Sequence, residues 1–600
     1  MISRKRWQTL ADFRAVDLAL ADFVQSRAAG PDPVGLAAAL ASRALGEGHA
    51  FVDLAHWHAA RPEMAVELPL SDWLAALQAS AAVGRTAGDQ PLVLEDVRLY
   101  LARQWLAEET VAGRLRQLLQ QPVTALPEGA GGWLRQLFPA GVYTPDWQMA
   151  ACALAAHHAL AIITGGPGSG KTTTVIRLLA LLQKIAGAQR LRIRLAAPTG
   201  KAAARLSEAI SKALLTLPAG FAGNVPSTVL TLHRLLGSGT RGRRFVHTAD
   251  NPLHADVVVV DEASMVDLAM MQALLQALPL NARLVLLGDR DQLASVEAGS
   301  VLGELCRDAA GAGYDEATLA LLHKLTGQDF SAHGGSGDRL AQHTVMLRHS
   351  HRFGTDSVIG QLAAAINRGD AAALTRLCGQ GDEALQLSPY AALLPALSEG
   401  LADYLRLATT PVGGAGADRH AQMALQALSR FQVLCAVRSG PHGVVTLNAQ
   451  IVAALQRQQV LPPAPQQQPS EWFAGRPVML TRNDYGLEVM NGDVGVTLMT
   501  DKGLRVAFNV GGNVRWILPG RIESAETAFA MTIHKSQGSE FDTACIVLPE
   551  EADSPLLTRE LLYTAVTRAK SRVLLLARMQ VLQQTVTRQV QRASALRDKL

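Results

Sequence analysis

Short apolar runs punctuate the middle and end of this chain: Leu160–Thr164 (LAIIT), Leu191–Ala196, the four valines before Asp261, and Phe431–Val437 (FQVLCAV). Runs of that length bounded by polar residues read as strands buried on both faces, as in a parallel sheet covered by helices. Helical spacing follows the first of them, with Val175, Ile176, Leu178, Leu179 and Leu182 on one stripe of Thr172–Ile185. Residues 1 to about 125 are helical by pattern, for example Val34–Leu45 and Trp73–Ala82, and Pro122 with Gly129–Gly132 marks a linker. A different pattern occupies Gly475–Ile522. There the runs VMLT, VGVTLMT, LRVAF and VRWIL are separated by Asn491-Gly492-Asp493, Asp501–Gly503 and Gly511-Gly512, which signals short strands joined by hairpins. Leu461–Pro469 (LPPAPQQQP) is a flexible connection, and Met579–Leu600 reads as a polar amphipathic helix, solvated or touching a partner. The expected architecture is therefore α/β. It comprises a helical N-terminal domain (1–125), a first α/β domain (126–355, with an insertion at about 237–256) and a second (356–600, with a β insertion at about 475–522).

Composition narrows the class. Hydrophobic residues make up 48% and aromatic residues 5%, an Ala/Leu/Val-rich and well-cored chain, and 600 residues suit three to four domains. The net charge of +4 is compatible with nucleic acid but too small to argue for it. The cluster Arg241-Gly242-Arg243-Arg244 is more telling, as a solvated loop or as a contact for nucleic acid. Cys152, Cys306, Cys378, Cys435 and Cys545 contain no C-x-x-C, so neither a zinc ribbon, an iron–sulfur site nor a disulfide framework is expected. His56/His58 with His49, and His349/His351, lack further ligands at zinc spacing and are expected to be surface or core histidines. No run approaches the ~18 apolar residues of a membrane span, and Asp12, Arg14 and Asp17 interrupt any signal-peptide core after the basic Arg4-Lys5-Arg6. A cytoplasmic location without membrane contact is expected.

The chemistry begins at Gly165-Gly166-Pro167-Gly168-Ser169-Gly170-Lys171-Thr172, which fits G-x-x-x-x-G-K-[ST] between a strand and a helix. In that context successive backbone N–H groups and the helix N-terminus face phosphate oxygens, with Lys171 reaching the β- and γ-phosphates and Thr173 following in the first turn. A nucleoside triphosphate, ATP, is the expected ligand. Val257–Glu262 (VVVVDE) ends a buried strand in two carboxylates. Asp261 would hold Mg²⁺ with the Thr172 hydroxyl as a second ligand, and Glu262 would orient and deprotonate the attacking water.

Further motifs follow in order: Ala197–Leu206 (APTGKAAARL), Val285–Val296 (VLLGDRDQLASV) with Gln292 placed to sense the γ-phosphate, Leu347–Phe353 (LRHSHRF), Ala528–Asp542 (AFAMTIHKSQGSEFD) and Leu561–Lys570 (LLYTAVTRAK). This set resembles the superfamily 1 helicases, and its wording is nearest to the RecD family, the α subunits of RecBCD-type helicase–nucleases (exonuclease V). The likeness covers about residues 145–575 and extends weakly through LGEGHAFVDL (45–54) and LYLARQWLAEETVA (99–112). It implies two RecA-like P-loop motors, an SH3-like barrel at 475–522, and a small β-hairpin beside DNA within 237–256. Gln148 would read the adenine edge, Glu540 would hydrogen-bond the ribose, and Arg352 and Arg568 would face the γ-phosphate from the second motor. Pro198, Thr199, Gly200, Thr231, His233, Thr532 and His534 would contact single-stranded DNA phosphates on the face opposite the nucleotide, although each of these Thr and His residues also suits a cap or loop.

The resemblance further implies 5′→3′ translocation on single-stranded DNA, with entry at duplex ends. It implies a heterotrimer with RecB-like and RecC-like subunits for double-strand-break repair by homologous recombination and DNA degradation. No nuclease site is recognisable here, so a partner would cut. A stand-alone RecD-like DNA or RNA helicase is the alternative. Such proteins carry a longer N-terminal region with helix-hairpin-helix elements, to which only Ala82-Val83-Gly84-Arg85 is similar. A structural subunit with a dead ATPase is disfavoured because every catalytic position is filled.

Overall fold

The four valines form an interior strand, Val257–Val260, of a six-stranded sheet. Its spatial order is Thr344–Leu347, Leu160–Gly165, Arg283–Gly288, Val257–Val260, Ile193–Ala197, Val229–Thr231, and every neighbouring pair is parallel. The computed structural model describes residues 11–28, 32–139, 143–221, 223, 225–237, 245–295, 297–354, 356–462, 472–484, 486–551 and 554–600. Alternate residues explain why these strands read as continuous apolar runs. Ile163, Leu195, Val257, Val259 and Val285 pack under the helices Trp147–His157 and Lys171–Ala186. Ile162, Val258, Val260, Leu284 and Leu286 pack on the other face, under Ala102–Gln120 and Leu268–Ala277.

That second face moves a domain boundary. The helix Ala102–Gln120 was expected to belong to the N-terminal domain. It instead buries Val111, Leu115 and Leu118 in the first motor's core beside Leu274, so by packing the motor begins near residue 102. The N-terminal unit before it is not purely helical. Helices Ala15–Ala28 and Asp32–Gly46 lie with a small sheet ordered Phe51–Asp53, Arg98–Leu101, Leu92–Glu95, Val83–Gly84, and Leu36, Trp73, Leu92 and Leu99 share one core. Strands of two to four residues are too short to carry a period-2 signal. The stretch likened to a helix-hairpin-helix turn contains the edge strand Val83–Gly84.

The second motor repeats the parallel plan with five strands, ordered Leu385–Ser388, Ala569–Leu576, Phe541–Val547, Phe431–Cys435, Ala530–Thr532. Inserted in it is a five-stranded antiparallel sheet ordered Asn513–Ile517, Gly503–Val510, Val494–Thr500, Pro477–Leu480, Ala525–Thr527. It has a core of its own in Val478, Val489, Val506, Phe508 and Ile517. In the first motor's insertion the backbone N–H of Val246 donates to the Gly237 carbonyl at 3.1 Å. Arg241-Gly242-Arg243-Arg244 and most of Leu461–Pro469 lie outside the described residues. Among the described residues no helix is long and apolar enough to cross a membrane. The five cysteines are free, and all but Cys378 are buried.

The C-terminal segment, expected to be one helix solvated or touching a partner, packs on the rest of its own chain and is helical only in part. The helix Met579–Thr587 packs on the second motor through Val581, Leu582 and Val586. The chain then leaves helical geometry and crosses to the other two units. Leu596 is buried in the first motor's core, and Ala595 packs with Phe51, Val93 and Tyr100 of the N-terminal unit. Arg597 pairs with Asp308 and Asp338, and Lys599 sits among Glu95, Glu108 and Glu109 at 3.1, 3.4 and 2.8 Å. Glu108, fully buried, also accepts from the Ser594 hydroxyl and the Ala595 N–H. The last dozen residues are a strap joining three bodies.

Candidate nucleotide cleft and nucleic-acid face

The strand Leu160–Gly165 delivers the chain into the glycine-rich loop, and the helix Lys171–Ala186 begins after Gly170 at φ +84°. Only glycine suits Gly170 twice over: the backbone is left-handed, and the space a side chain would fill is held by the Gln148 amide. Gln148 is placed by the Asp146 carboxylate, which caps the helix Trp147–His157. Its Nε2 donates to the Ser169 carbonyl at 3.0 Å and meets His351 Nε2 at 3.1 Å. Lys171 Nζ donates to the carbonyls of Gly165 (2.5 Å) and Gly166 (3.2 Å), the two loop residues beneath it. Around this loop lies a cleft of about 560 Å³ lined by Gln148, Pro167–Thr173, Asp261, Glu262, Gln292, Arg352, Glu540 and Arg568. Residues spread over most of the sequence thus share one site. Ser169 Oγ and Arg352 Nη1 are buried there with no hydrogen-bond partner among the described residues. Unsatisfied donors beside a loop of this kind fit an anionic phosphate ligand.

Asp261 and Glu262 follow the valine strand at its C-terminal end. Burial, then the neighbouring Glu262, pushes the Asp261 carboxyl up to about 6, while Lys171 draws it down. Asp261, half-buried and crowded by Glu262, lines the same cleft as Thr172, and the two offer oxygen donors suited to Mg²⁺. Glu262 is held at φ +53°, a left-handed conformation that costs a non-glycine residue about 1–2 kcal/mol. Its N–H donates to Asp261 Oδ1 at 2.9 Å.

Opposite this side, Gln292 donates through Nε2 to Asp289 Oδ2 (2.9 Å) and accepts at Oε1 from Arg568 Nη2 (2.9 Å). Arg568 belongs to the second motor and is only 3% exposed. Arg352 does not reach in from the second motor as expected. It follows the edge strand Thr344–Leu347 of the first sheet, where the His351 N–H donates to the Gly168 carbonyl at 2.8 Å and the Ser350 hydroxyl to the Pro167 carbonyl at 3.0 Å. It therefore rides with the loop, and Arg568 alone of the two lies across the cleft. Glu540 carries two guanidinium groups, Arg352 and Arg205. Burial raises its pKa, but Arg205 and Arg352 outweigh that and hold it at about 2.

The expected nucleic-acid contacts fall at strand ends, though not opposite the nucleotide. All strands of a motor are parallel, so their C-terminal ends share one edge. Thr199 and Thr231 follow strands three and four positions from the P-loop strand, about 14–19 Å along that edge. Thr231 pairs in register with Ala197, and Pro198, Thr199 and Gly200 lead into the helix Gly200–Leu214. In the second motor Thr532 ends the edge strand Ala530–Thr532, with His534 in the turn after it. The three hydroxyls accept from Ala202, Arg234 and Lys535 N–H groups at 3.2, 3.2 and 3.3 Å. Thr199 and Thr231 are thus helix caps and Thr532 steadies the turn that follows it, and among the described residues none of the three hydroxyls donates a hydrogen bond. His233 lies 5.9 Å from Phe245, ring to ring. Burial, then Arg592, lowers the pKa of His534.

Three family models match the chain: an AAA domain over residues 148–298, the N-terminal domain of the RecBCD enzyme subunit RecD over 10–100, and a UvrD-like helicase C-terminal domain over 527–576. The RecBCD enzyme subunit RecD of Mycobacterium tuberculosis is 41% identical over 577 residues, covering 94% of this chain and 91% of the relative. That of Haemophilus influenzae is 36% identical, covering 88% and 84%. The chain belongs to the RecD family. The ATP-dependent RecD2 DNA helicase of Deinococcus radiodurans is 31% identical, over 83% of this chain and 58% of the relative.

In this RecD-family chain the structure also brings forward residues that the motifs contained without assigning. Arg205 lies in APTGKAAARL, and Ala202, Arg205, Leu206 and Ala209 present one helical face to the cleft. That i, i+3, i+4, i+7 spacing was legible, but its target on the other motor was not. Tyr143 stacks on His349 with ring centroids 4.0 Å apart, and with Arg177 and His351 it extends the site beyond Gln148. His58, the buried member of the other histidine pair, bonds the Leu68 carbonyl, and His49 Nδ1 accepts from the Ala593 N–H at 2.9 Å.

Proposed function

We propose that this RecD-family chain is an ATP-driven 5′→3′ translocase on single-stranded DNA and the helicase subunit of a cytoplasmic RecBCD-type heterotrimer with RecB-like and RecC-like partners. One observation carries the reading: Lys171 of the first motor and Arg568 of the second line a single cleft, so catalysis depends on how the two motors sit together. We read both parallel-sheet units as RecA-like and the five-stranded insertion as SH3-like. Bound Mg²⁺, held by Thr172 and Asp261, would neutralise phosphate charge. Lys171 and the loop N–H groups bind the phosphates, Gln148 meets the base, and Glu540 is placed at the ribose side while steadying Arg352. Glu262 orients the attacking water and takes its proton, and Arg568, positioned by Gln292, offers its planar charge to the transition state. Thr199, Thr231, Thr532, His233 and His534, with the backbone at Pro198 and Gly200, grip DNA phosphates without reading sequence. Closing and opening of the cleft then moves the two groups of DNA contacts relative to each other.

The subunit reading is favoured over a stand-alone helicase by the match of residues 10–100 to the N-terminal domain of RecBCD-type RecD. Affinity purification from native extract tests it: two stoichiometric large subunits are expected, and a chain recovered alone would favour the stand-alone enzyme. Polarity is tested on tailed duplexes with the partner's own P-loop lysine disabled. Unwinding from a 5′ tail is expected, and unwinding only from a 3′ tail would overturn the assignment.

A further inference from the structure

One hydroxyl of the second motor touches the catalytic groups of the first and has no role in the mechanism above. Tyr563 lies on the helix Arg559–Val566 and is 4% exposed. Its hydroxyl donates to Asp289 Oδ2 at 3.0 Å. The same oxygen presses on the P-loop, because a Cβ on Gly166 would stand only 3.0 Å from it. Asp289 follows the strand Arg283–Gly288 and is buried, and its Oδ2 also accepts from Gln292 Nε2. Gln292 Oε1 in turn accepts from Arg568 Nη2, and Arg568 stands just beyond the end of the helix that carries Tyr563. The contacts form a chain of four side chains, two from each motor, closed into a ring by the backbone between Tyr563 and Arg568. Beside it, the Leu293 N–H donates to Thr564 Oγ1 at 2.9 Å and Gln537 Nε2 donates to the Leu293 carbonyl at 3.0 Å, so backbone of the first motor is clamped to the second at the same place.

We infer that Tyr563 is a positioning residue for ATP hydrolysis: its hydroxyl fixes Asp289, and through it the Gln292 amide, so that Arg568 is aimed at the nucleotide only when the motors are docked. The polarity of the amide makes the ring directional. With Nε2 on Asp289, Gln292 must present its oxygen to Arg568; rotated, it would set an NH₂ against a guanidinium, donor against donor. Asp289 keeps the amide the right way round, and it does so as an acceptor. Burial raises its pKa, and Lys171, Gln292 and Tyr563 offset only part of that rise, with Asp291 and Arg568 the other charged groups nearby. The hydroxyl is the ring's second donor to that oxygen and the one delivered by the moving domain. Gly166 is the matching concession in the P-loop, since a side chain there would push the tyrosine away. ATP hydrolysis is thereby made contingent on docking, through a contact separate from Arg568.

The inference rests on the roles given above to Gln292 and Arg568, and the test separates the two. Tyr563→Phe, in the full chain with whatever subunits co-purify, deletes one oxygen and keeps the aromatic ring in the second motor's core. DNA-stimulated ATPase kcat should fall roughly tenfold to a hundredfold, the range for losing a hydrogen bond to a charged partner, with KM for ATP within about twofold and the thermal midpoint unchanged. In an Asp289→Ala background Tyr563→Phe should cost nothing further, because the hydroxyl acts through that carboxylate. Wild-type kcat in Tyr563→Phe, or losses that multiply with Asp289→Ala, would overturn the inference. If Arg568→Ala hydrolyses ATP normally, the reading of the site falls and the inference with it. If Arg568→Ala is inactive while Tyr563→Phe is normal, the inference falls alone.

Discussion

Replacing Glu540 by Gln removes one negative charge from between two guanidinium groups that belong to the first motor's side of the cleft. Arg205 comes from the helix Gly200–Leu214 and Arg352 from the loop tied to Gly168, whereas Glu540 precedes the strand Phe541–Val547 of the second motor. The carboxyl is drawn from 4.5 to about 2: burial opposes the shift, and Arg205 and Arg352 override it. At about 1.4 kcal/mol per pH unit, that interval sets a ceiling of about 3 kcal/mol on what the ionised group adds to the docked arrangement. Glu540 is 17% exposed, but the Arg205 arm is 42% exposed and solvent screens it, so a loss of about 1–2 kcal/mol is expected at neutral pH. The sign follows from a depressed folded-state pKa. The contribution is complete above 4.5 and disappears as pH falls from 4.5 towards 2. Urea unfolding of wild type and Glu540→Gln across a pH series is the assay. The gap between them should be flat from about pH 8 to 5 and narrow below about pH 4.5. A gap under about 0.3 kcal/mol at neutral pH, or one that stays constant into acid, would refute the account.

Three further outcomes are expected. Lys171→Gln should leave the fold intact and reduce DNA-stimulated ATP hydrolysis more than tenfold in a phosphate-release assay, because a fixed charge on the phosphates is lost. Glu262→Gly and Glu262→Ala should both lose hydrolysis, yet the glycine variant should be the more stable by about 0.5–1 kcal/mol in chemical denaturation, since only glycine relieves the left-handed backbone at φ +53°. Leu596→Ala should destabilise the chain by about 2–3 kcal/mol and expose the junction between N-terminal unit and first motor to limited proteolysis, as expected for truncating a fully buried leucine.

Both motors were readable because their interior strands are buried on two faces and the catalytic groups of the first motor sit within a few residues of a strand's C-terminal end. Val257–Val260 needs no partner to be recognised, and neither does a glycine-rich loop that opens a helix. The same locality explains the errors. Thr199 and Thr231 were expected opposite the nucleotide, but the strand order of the parallel sheet, which no local motif carries, puts their loops on one edge with Lys171. Val83–Gly84 and Phe51–Asp53 are too short to impose a period, and they become strands only by pairing within the N-terminal sheet.

The contacts between bodies left no local signal at all. Arg205 reads as an ordinary helical arginine until Glu540 is folded against it, and Lys599 reads as a terminal lysine until Glu95, Glu108 and Glu109 surround it. Such contacts also differ in kind across the molecule. The strap buries Leu596 and Ala595 in two cores, so it holds the N-terminal unit to the first motor as firmly as a core does. The motors are joined by hydrogen bonds and ion pairs around Asp289, Gln292, Glu540 and Arg568, the last three of which line the cleft, and by Leu293, which is buried in the second motor's core. Polar contacts can be exchanged for ligand contacts at little net cost, whereas buried leucines cannot. By that difference the polar contacts of the cleft are the exchangeable ones, while Leu293 and the strap's Leu596 anchor the first motor to its neighbours.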